Sequence, residues 1–188
     1  QDKPEATLIQ TMAVRTMARA EYSTENIGHY GLAFEYYTHF TSPIRRYPDL
    51  LVHRLVARYM AGEGSVPQAE YEAYAQHCSD REQVAAKAER DSVRYKQVEY
   101  MSTRLGKVFD GVISNVAEWG FYVELTHSHC EGLVPMRLLN DDFYDYDEKN
   151  LALVGRRYRR KFTLGDMVRV RAIHSDFERR QIDFELVD

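Results

Sequence analysis

Near Gly106 the apolar residues of this chain change period, and that change restricts the fold more than any other feature of the sequence. Beyond it, apolar and polar residues alternate. In GFYVEL (120–125), Phe121, Val123 and Leu125 fall on one face, with Tyr122 and Glu124 on the other. In MVRVRA (167–172), Val168, Val170 and Ala172 oppose Arg169 and Arg171; in QIDFEL (181–186), Ile182, Phe184 and Leu186 share a face. KVFDGVISNV (107–116) supplies an earlier strand and EGLVP (131–135) a short one. Each strand has one apolar face to bury. Five of them in about 80 residues predict a small closed barrel, of which the OB-fold is the usual example. The stretch from about 136 to 166 reads as a helical turn followed by a long loop.

Before Gly106 the pattern is mainly helical. Pro4 suits a first helical position, and a helix is expected from there to about Glu21. STENIGHYGLAFEYYTHFTS (23–42) has two glycines and no helical stripe, so it reads as irregular or partly extended. A helix follows, with Leu51, Leu55 and Tyr59 on one stripe and Val52 and Val56 beside it. Gly62, Gly64 and Pro67 mark a turn, and a short helix covers about 68–78. Ser79 with Glu82 resembles a capping box opening a long helix to Leu105, with Val84, Ala88, Asp91, Tyr95, Val98, Ser102 and Leu105 on one face. The predicted class is α+β: a mainly helical region over 1–105 and a five-stranded barrel over 106–188.

A chain of 188 residues suits one large domain or two small ones. No apolar run approaches the ~20 residues of a membrane span, and the first residues carry no signal pattern, which points to a cytoplasmic protein. The chain does not begin with Met, which suggests a piece of something longer. Cys78 and Cys130 read as free thiols. The net charge of −4 argues mildly against a polyanionic partner, but its distribution matters more. Acids gather in DDFYDYDE (141–148), bases in RRYRRK (156–161) and at Arg45 and Arg46. The 14 tyrosines beside local basic clusters have two readings: rings that stack on the bases of single-stranded nucleic acid while cations follow its phosphates, or, the reading composition alone favours, rings that pack with their hydroxyls at the surface. The acidic run lacks the glycine and closing glutamate of a calcium loop and reads as solvated surface. His127, His129 and Cys130 read as a polar hairpin, and RRYRRK as either a solvated hairpin or an RNA contact.

The most unusual local sequence is HFTSPIRRYPDLLVHR (39–54). Pro43 fixes its own φ and Pro48 limits the backbone at Tyr47, so the arginines between them are held with little entropy left to lose. Guanidinium is always charged and presents a planar fork to phosphate oxygens. Two readings follow. Either the arginines aim at a phosphate, or Ser42 caps the helix and the arginines pair with acids on it.

GKVFDGVISNVAEWGFYVEL…EGLVP…LGDMVRVRAI…RRQIDFEL resembles the S1 RNA-binding domain, which is of OB-fold type, and NIGHYGLAFEYYTHFTSPIRRYPDLLVHR resembles the last part of the RNB catalytic domain of the ribonuclease II and ribonuclease R family, with Pro48 and the layout nearer the ribonuclease R branch. The resemblance implies a processive 3′–5′ exoribonuclease that converts single-stranded RNA to nucleoside monophosphates with Mg²⁺. It assigns Arg45 to the phosphate being cleaved, Arg46 to either a phosphate or a structural contact, and Thr41 and Ser42 to hydrogen bonds with the RNA backbone. In the barrel it assigns Trp119 and Tyr122 to base stacking and Asp176 and Arg180 to a polar pair on the last hairpin, while Arg169 and Arg171 are candidates for phosphate contact. Pro135 stands where the barrel pattern often has His, which puts one usual contact in doubt. The family's metal ligands are a closely spaced Asp cluster earlier in the catalytic domain. Here Asp2 stands alone and Asp49 lies inside a helix. The expectation is therefore the C-terminal part of such an enzyme, holding RNA without cleaving it, with no Mg²⁺ of its own and the N-terminal part of the same enzyme as its partner. The rivals are a non-catalytic RNA-binding adaptor and a protein-interaction scaffold using the 84–105 helix face.

Overall fold

The computed structural model describes residues 9, 13, 14 and 16–187. Of the helix expected from Pro4 to Glu21, residues 9, 13, 14 and 16 are helical and 17–21 are not; the rest lies outside the described residues. The chain divides into two compact units, one formed by Ala18–Ala88 and the other built on residues from Glu89 onward.

In the first unit the segment before the arginines is irregular, as its composition predicts, with a 3-10 turn at Tyr30–Leu32 and a bridge between His29 and Phe34. Gly28 makes this possible. Its φ is +70°, and a Cβ there would lie 2.7 Å from the Phe34 carbonyl oxygen. Helix α1 (Tyr47–Met60) starts with Arg46 at the N-cap and Pro48 in its first turn. Its expected apolar stripe is only half buried: Leu51 and Leu55 are intermediate, while Val56 and Tyr59 are exposed.

Helix α2 (Gln68–Ser102) is continuous, which corrects the expectation of a break before Ser79. No Gly or Pro interrupts the segment. The Ser79 hydroxyl, rather than capping a new helix, donates to the Ala75 carbonyl at 3.0 Å and accepts from the Tyr22 N–H at 2.8 Å. About two turns earlier on that side, Glu72 accepts from the Thr24 N–H at 2.7 Å. These two side chains strap the irregular segment to α2.

In the second unit five strands close into a barrel: β1 (Val108–Ala117), β2 (Gly120–Leu125), β3 (Glu131–Pro135), β7 (Met167–Asp176) and β8 (Gln181–Val187), in the order β1-β2-β3-β8-β7 with β1 paired back to β7. All pairs are antiparallel except β3 with β8. The expected alternation holds: Phe121, Val123, Leu125, Val170, Ala172, Ile182 and Phe184 are at most 1% exposed. Gly120 turns the chain into β2 with φ +147°, and a Cβ there would sit 2.2 Å from the Val134 carbonyl oxygen.

The last turns of α2 enter this core through Val98 and Met101, both fully buried. The expected apolar face of that helix is corrected on the barrel side. Val84, Tyr95 and Leu105 are exposed, and Arg94 and Gln97 instead reach Glu131 and the His129 carbonyl at 2.8 Å each.

The second correction concerns residues 136–166. A 3-10 turn does form, at Met136–Leu138. The supposed loop is then an antiparallel sheet of β4 (Tyr144–Asp147), β5 (Ala152–Gly155) and β6 (Lys161–Thr163). It is held because Tyr144, Leu153 and Phe162 join the barrel core, with Phe162 stacked 4.8 Å from Phe121.

Candidate nucleic-acid interface

The first candidate surface is the turn carrying the two arginines. Ser42–Arg45 form a tight turn, with Pro43 second in it and the Ser42 carbonyl accepting from the N–H groups of Arg45 at 3.3 Å and Arg46 at 3.0 Å. The helix that follows brings Asp49 back under the turn. Asp49 is 0% exposed. Its Oδ2 accepts from the Ser42 N–H and from Arg46 Nη2, both at 2.8 Å. Burial alone pushes this carboxyl's pKa up, but the Ser42 N–H and the Arg46 guanidinium outweigh it and hold the group below the ordinary range. Arg46 also meets His39 Nδ1 at 3.3 Å. His39 and His53 are held locally, His53 by the Phe40 carbonyl at 2.9 Å and by stacking on the Phe40 ring.

The two arginines therefore have different states. Arg46 is locked onto a buried carboxylate. Arg45 is exposed, reaches only the Ser42 hydroxyl at 3.4 Å, and makes no ion pair among the described residues. The pairing reading holds for Arg46, with one correction: Ser42 does not cap α1, whose N-cap is Arg46. Thr41 is exposed beside the turn. Asp49 was set aside as a helix residue. The signal available was its position three after Arg46 in a first helical turn, where a carboxylate reaches both a neighbouring cation and free N–H groups.

The second surface lies on the barrel. Trp119 is 60% exposed just before β2, and its Nε1–H points to the Tyr122 hydroxyl at 3.3 Å. Tyr122 is on the outward face, flanked across the ladder by Leu133 and Asn115. Two aromatic faces with a polar edge thus stand together on a rigid strand. The cations expected nearby are engaged: Arg171 with Glu185 at 3.1 Å, Arg169 with Asp110 at 3.6 Å, and Arg180 with Asp91 at 2.7 Å. Asp176 holds its own hairpin, accepting from the Arg179 N–H at 2.9 Å. A phosphate approaching these arginines must compete with a carboxylate, whereas one approaching Arg45 need not.

The acidic run lies at the surface as expected, with Asp141, Asp145 and Glu148 exposed, but its aspartates are engaged. Asp142 accepts N–H bonds from Phe143, Arg157 and Tyr158, Asp145 holds Arg156 by two bonds of 2.6 and 2.8 Å, and Asp141 meets Arg160 at 3.3 Å. Acids and bases far apart in the sequence are neighbours across the β4–β6 sheet. No group of three or more His, Cys, Asp or Glu placed to hold a metal ion occurs among the described residues. Asp49, the acid nearest Arg45 in the chain, is committed to Arg46 and Ser42. The acids among the described residues do not fit a Mg²⁺ site. Cys78 and Cys130 are both free thiols, and no described helix is long and apolar enough to cross a membrane.

The RNB domain model matches residues 1–62 and the S1 RNA binding domain model residues 103–186. A ribonuclease R from Aquifex aeolicus (strain VF5) is 45% identical over 193 residues, covering 99% of this chain and 27% of that protein. The apo form of Mycoplasma genitalium RNase R superposes with a TM-score of 0.88 at 27% identity, covering 99% of this chain and 30% of that one. The same enzyme in complex with ribose methylated single-stranded RNA gives 0.87 at 27% identity, over 99% of this chain and 30% of the other. The chain spans about a quarter of the length of the curated relative it matches.

Proposed function

The chain belongs to the ribonuclease R family, carrying RNB and S1 segments, and from that premise we propose that it is the part of a 3′–5′ exoribonuclease that grips single-stranded RNA and presents one arginine to the scissile phosphate. The whole protein hydrolyses RNA to nucleoside 5′-monophosphates with Mg²⁺ held by carboxylates elsewhere in it, and works in the cytoplasm. The observation that carries this reading is the unequal pair: Arg46 neutralises a buried acid, which leaves Arg45 charged, exposed and without a carboxylate partner among the described residues, on a proline-stiffened turn. Such a cation stabilises negative charge as it develops on a phosphate without reorganising first. The RNA-bound Mycoplasma genitalium relative supports an RNA ligand for the same fold. On the barrel, Trp119 and Tyr122 stack on bases and tolerate any sequence, since every base has a π-face. The exposed aromatic and aliphatic side chains of the first unit, Ile27, Tyr30, Tyr36 and Ile44 among them, are then a surface completed by the rest of the catalytic domain.

The test uses the full-length protein. Arg45→Ala should lower the rate of nucleoside monophosphate release by about 10²–10³, the usual loss on removing one group that stabilises transition-state charge, with RNA affinity changed little. Activity within a few fold of the parent would sink the assignment.

A further inference from the structure

The β4–β6 sheet sorts its charges unevenly. Antiparallel pairing of Tyr144 with Gly155 and of Asp147 with Ala152 puts the β4–β5 turn, with Glu148, at one end of the sheet and Phe143 with the 156–160 hairpin at the other. At the hairpin end the acids are used internally. Asp142 is spent on the N–H groups of Phe143, Arg157 and Tyr158, and although burial raises its pKa, those bonds outweigh it and hold the group ionised. Asp145 is spent on Arg156, and Asp141 on Arg160 and the Tyr144 hydroxyl. Arg157 and Arg159 are exposed and form no ion pair among the described residues. Between them Tyr158 is 61% exposed, with the Arg157 guanidinium 5.1 Å from its ring centre, and Phe143 beside the hairpin is 81% exposed. The Arg156 N–H binds the Phe143 carbonyl at 2.8 Å, which joins the two segments. The result is a tip that presents two guanidinium groups without an ion pair among the described residues beside two exposed rings, Arg157 also lying over the Tyr158 ring and near Asp142.

We propose that this tip, Phe143 with Arg157, Tyr158 and Arg159, is a second contact for single-stranded RNA, separate from the Trp119 and Tyr122 surface; the proposal rests on the RNA-binding reading above. The arginines take phosphates, and a base stacks on an exposed ring, the combination that suits an unpaired strand rather than a duplex. Asp141, Asp142 and Asp145 serve to build the tip, because hydrogen bonds and ion pairs hold them against the hairpin.

The experiment titrates the 188-residue chain into a 5′-fluorescein oligouridylate of about 25 nucleotides, long enough to cover more than one OB-sized site, at several salt concentrations. The double variant Arg157→Gln/Arg159→Gln should flatten the slope of log affinity against log salt by about 1.4, or 0.7 per lost phosphate contact, and so weaken binding by up to about 25-fold at 0.1 M salt. The charge-preserving Arg157→Lys/Arg159→Lys pair should keep the slope, and Tyr158→Ala should weaken binding with the slope unchanged. Thermal melting should be the same for all of them, since neither arginine side chain holds an ion pair. An unchanged isotherm for the Gln pair while Trp119→Ala still loses affinity overturns this inference alone, as does equal slope loss in the Gln and Lys pairs. Capture of an acidic peptide with the RNA isotherm unmoved would also overturn it and make the tip a protein surface. Wild-type chain that ignores RNA at low salt overturns the RNA-binding reading, and the tip proposal with it.

Discussion

Alanine at position 46 and alanine at position 45 should behave as opposites, although the residues are adjacent and chemically identical. Arg46→Ala removes the 2.8 Å bond to Asp49 Oδ2 and the contact with His39, leaving a carboxylate at 0% exposure with the Ser42 N–H as its remaining donor. A lost charge-assisted hydrogen bond costs ~1.5–3 kcal/mol, and stranding the buried charge adds to it. Protonation sets a ceiling: neutralising a carboxyl of ordinary pKa at pH 7 costs about 4 kcal/mol. Arg46→Ala should therefore lose about 2–4 kcal/mol locally. Arg45→Ala gives up one 3.4 Å contact at the surface and should lose less than about 0.5 kcal/mol. Hydrogen exchange followed by mass spectrometry reads this directly, because peptides spanning 39–60 report the opening of the turn and α1 without requiring the whole chain to unfold together. Equal protection of that segment in the parent and Arg46→Ala would refute the division of labour, and so would deprotection in Arg45→Ala.

Three other perturbations follow from the same structure. Acidification should loosen the turn: Asp49 has a lowered folded pKa, so its contribution is complete above the unfolded value near about 4 and is lost as pH falls through the folded value, and exchange in peptides 39–60 should rise only below that point. Gly120→Ala should destabilise the barrel by about 3 kcal/mol or more in denaturant titration, since its Cβ would meet the Val134 carbonyl oxygen at 2.2 Å and its φ of +147° disfavours any side chain; a loss under about 1 kcal/mol would mean the strand entry relaxes freely. Trp119→Ala should weaken oligouridylate binding by about 5- to 150-fold, equivalent to ~1–3 kcal/mol for one base stack, with an unchanged salt slope.

The barrel was legible because a period of two survives any context: Phe121, Val123, Phe184 and Ile182 could face only inward once the sheet closed. The β4–β6 sheet escapes the sequence reading although YDYD (144–147) carries the same alternation. Its aspartates drew attention as charge, while the apolar members Tyr144, Leu153 and Phe162 are spread over three segments and show their purpose only when packed together. Ser79 misled for a related reason. A serine three residues before a glutamate reads as a cap, but a hydroxyl can turn back on its own helix when a neighbouring N–H needs an acceptor, and Tyr22 supplies that N–H from 57 residues away. At the arginine turn the sequence revealed the prolines and the charge. It did not reveal which arginine was free, because that depends on how far a helix rotates Asp49 beneath the turn.

The proposed division of labour has this chain hold RNA and supply Arg45 without the acids that cut. It can be checked by incubating the purified chain with 5′-labelled single-stranded RNA and Mg²⁺, at low and high salt, while following bound fraction and RNA length together. The prediction is salt-sensitive binding with the RNA at full length throughout. Stepwise shortening from the 3′ end, or no binding at low salt, would contradict it.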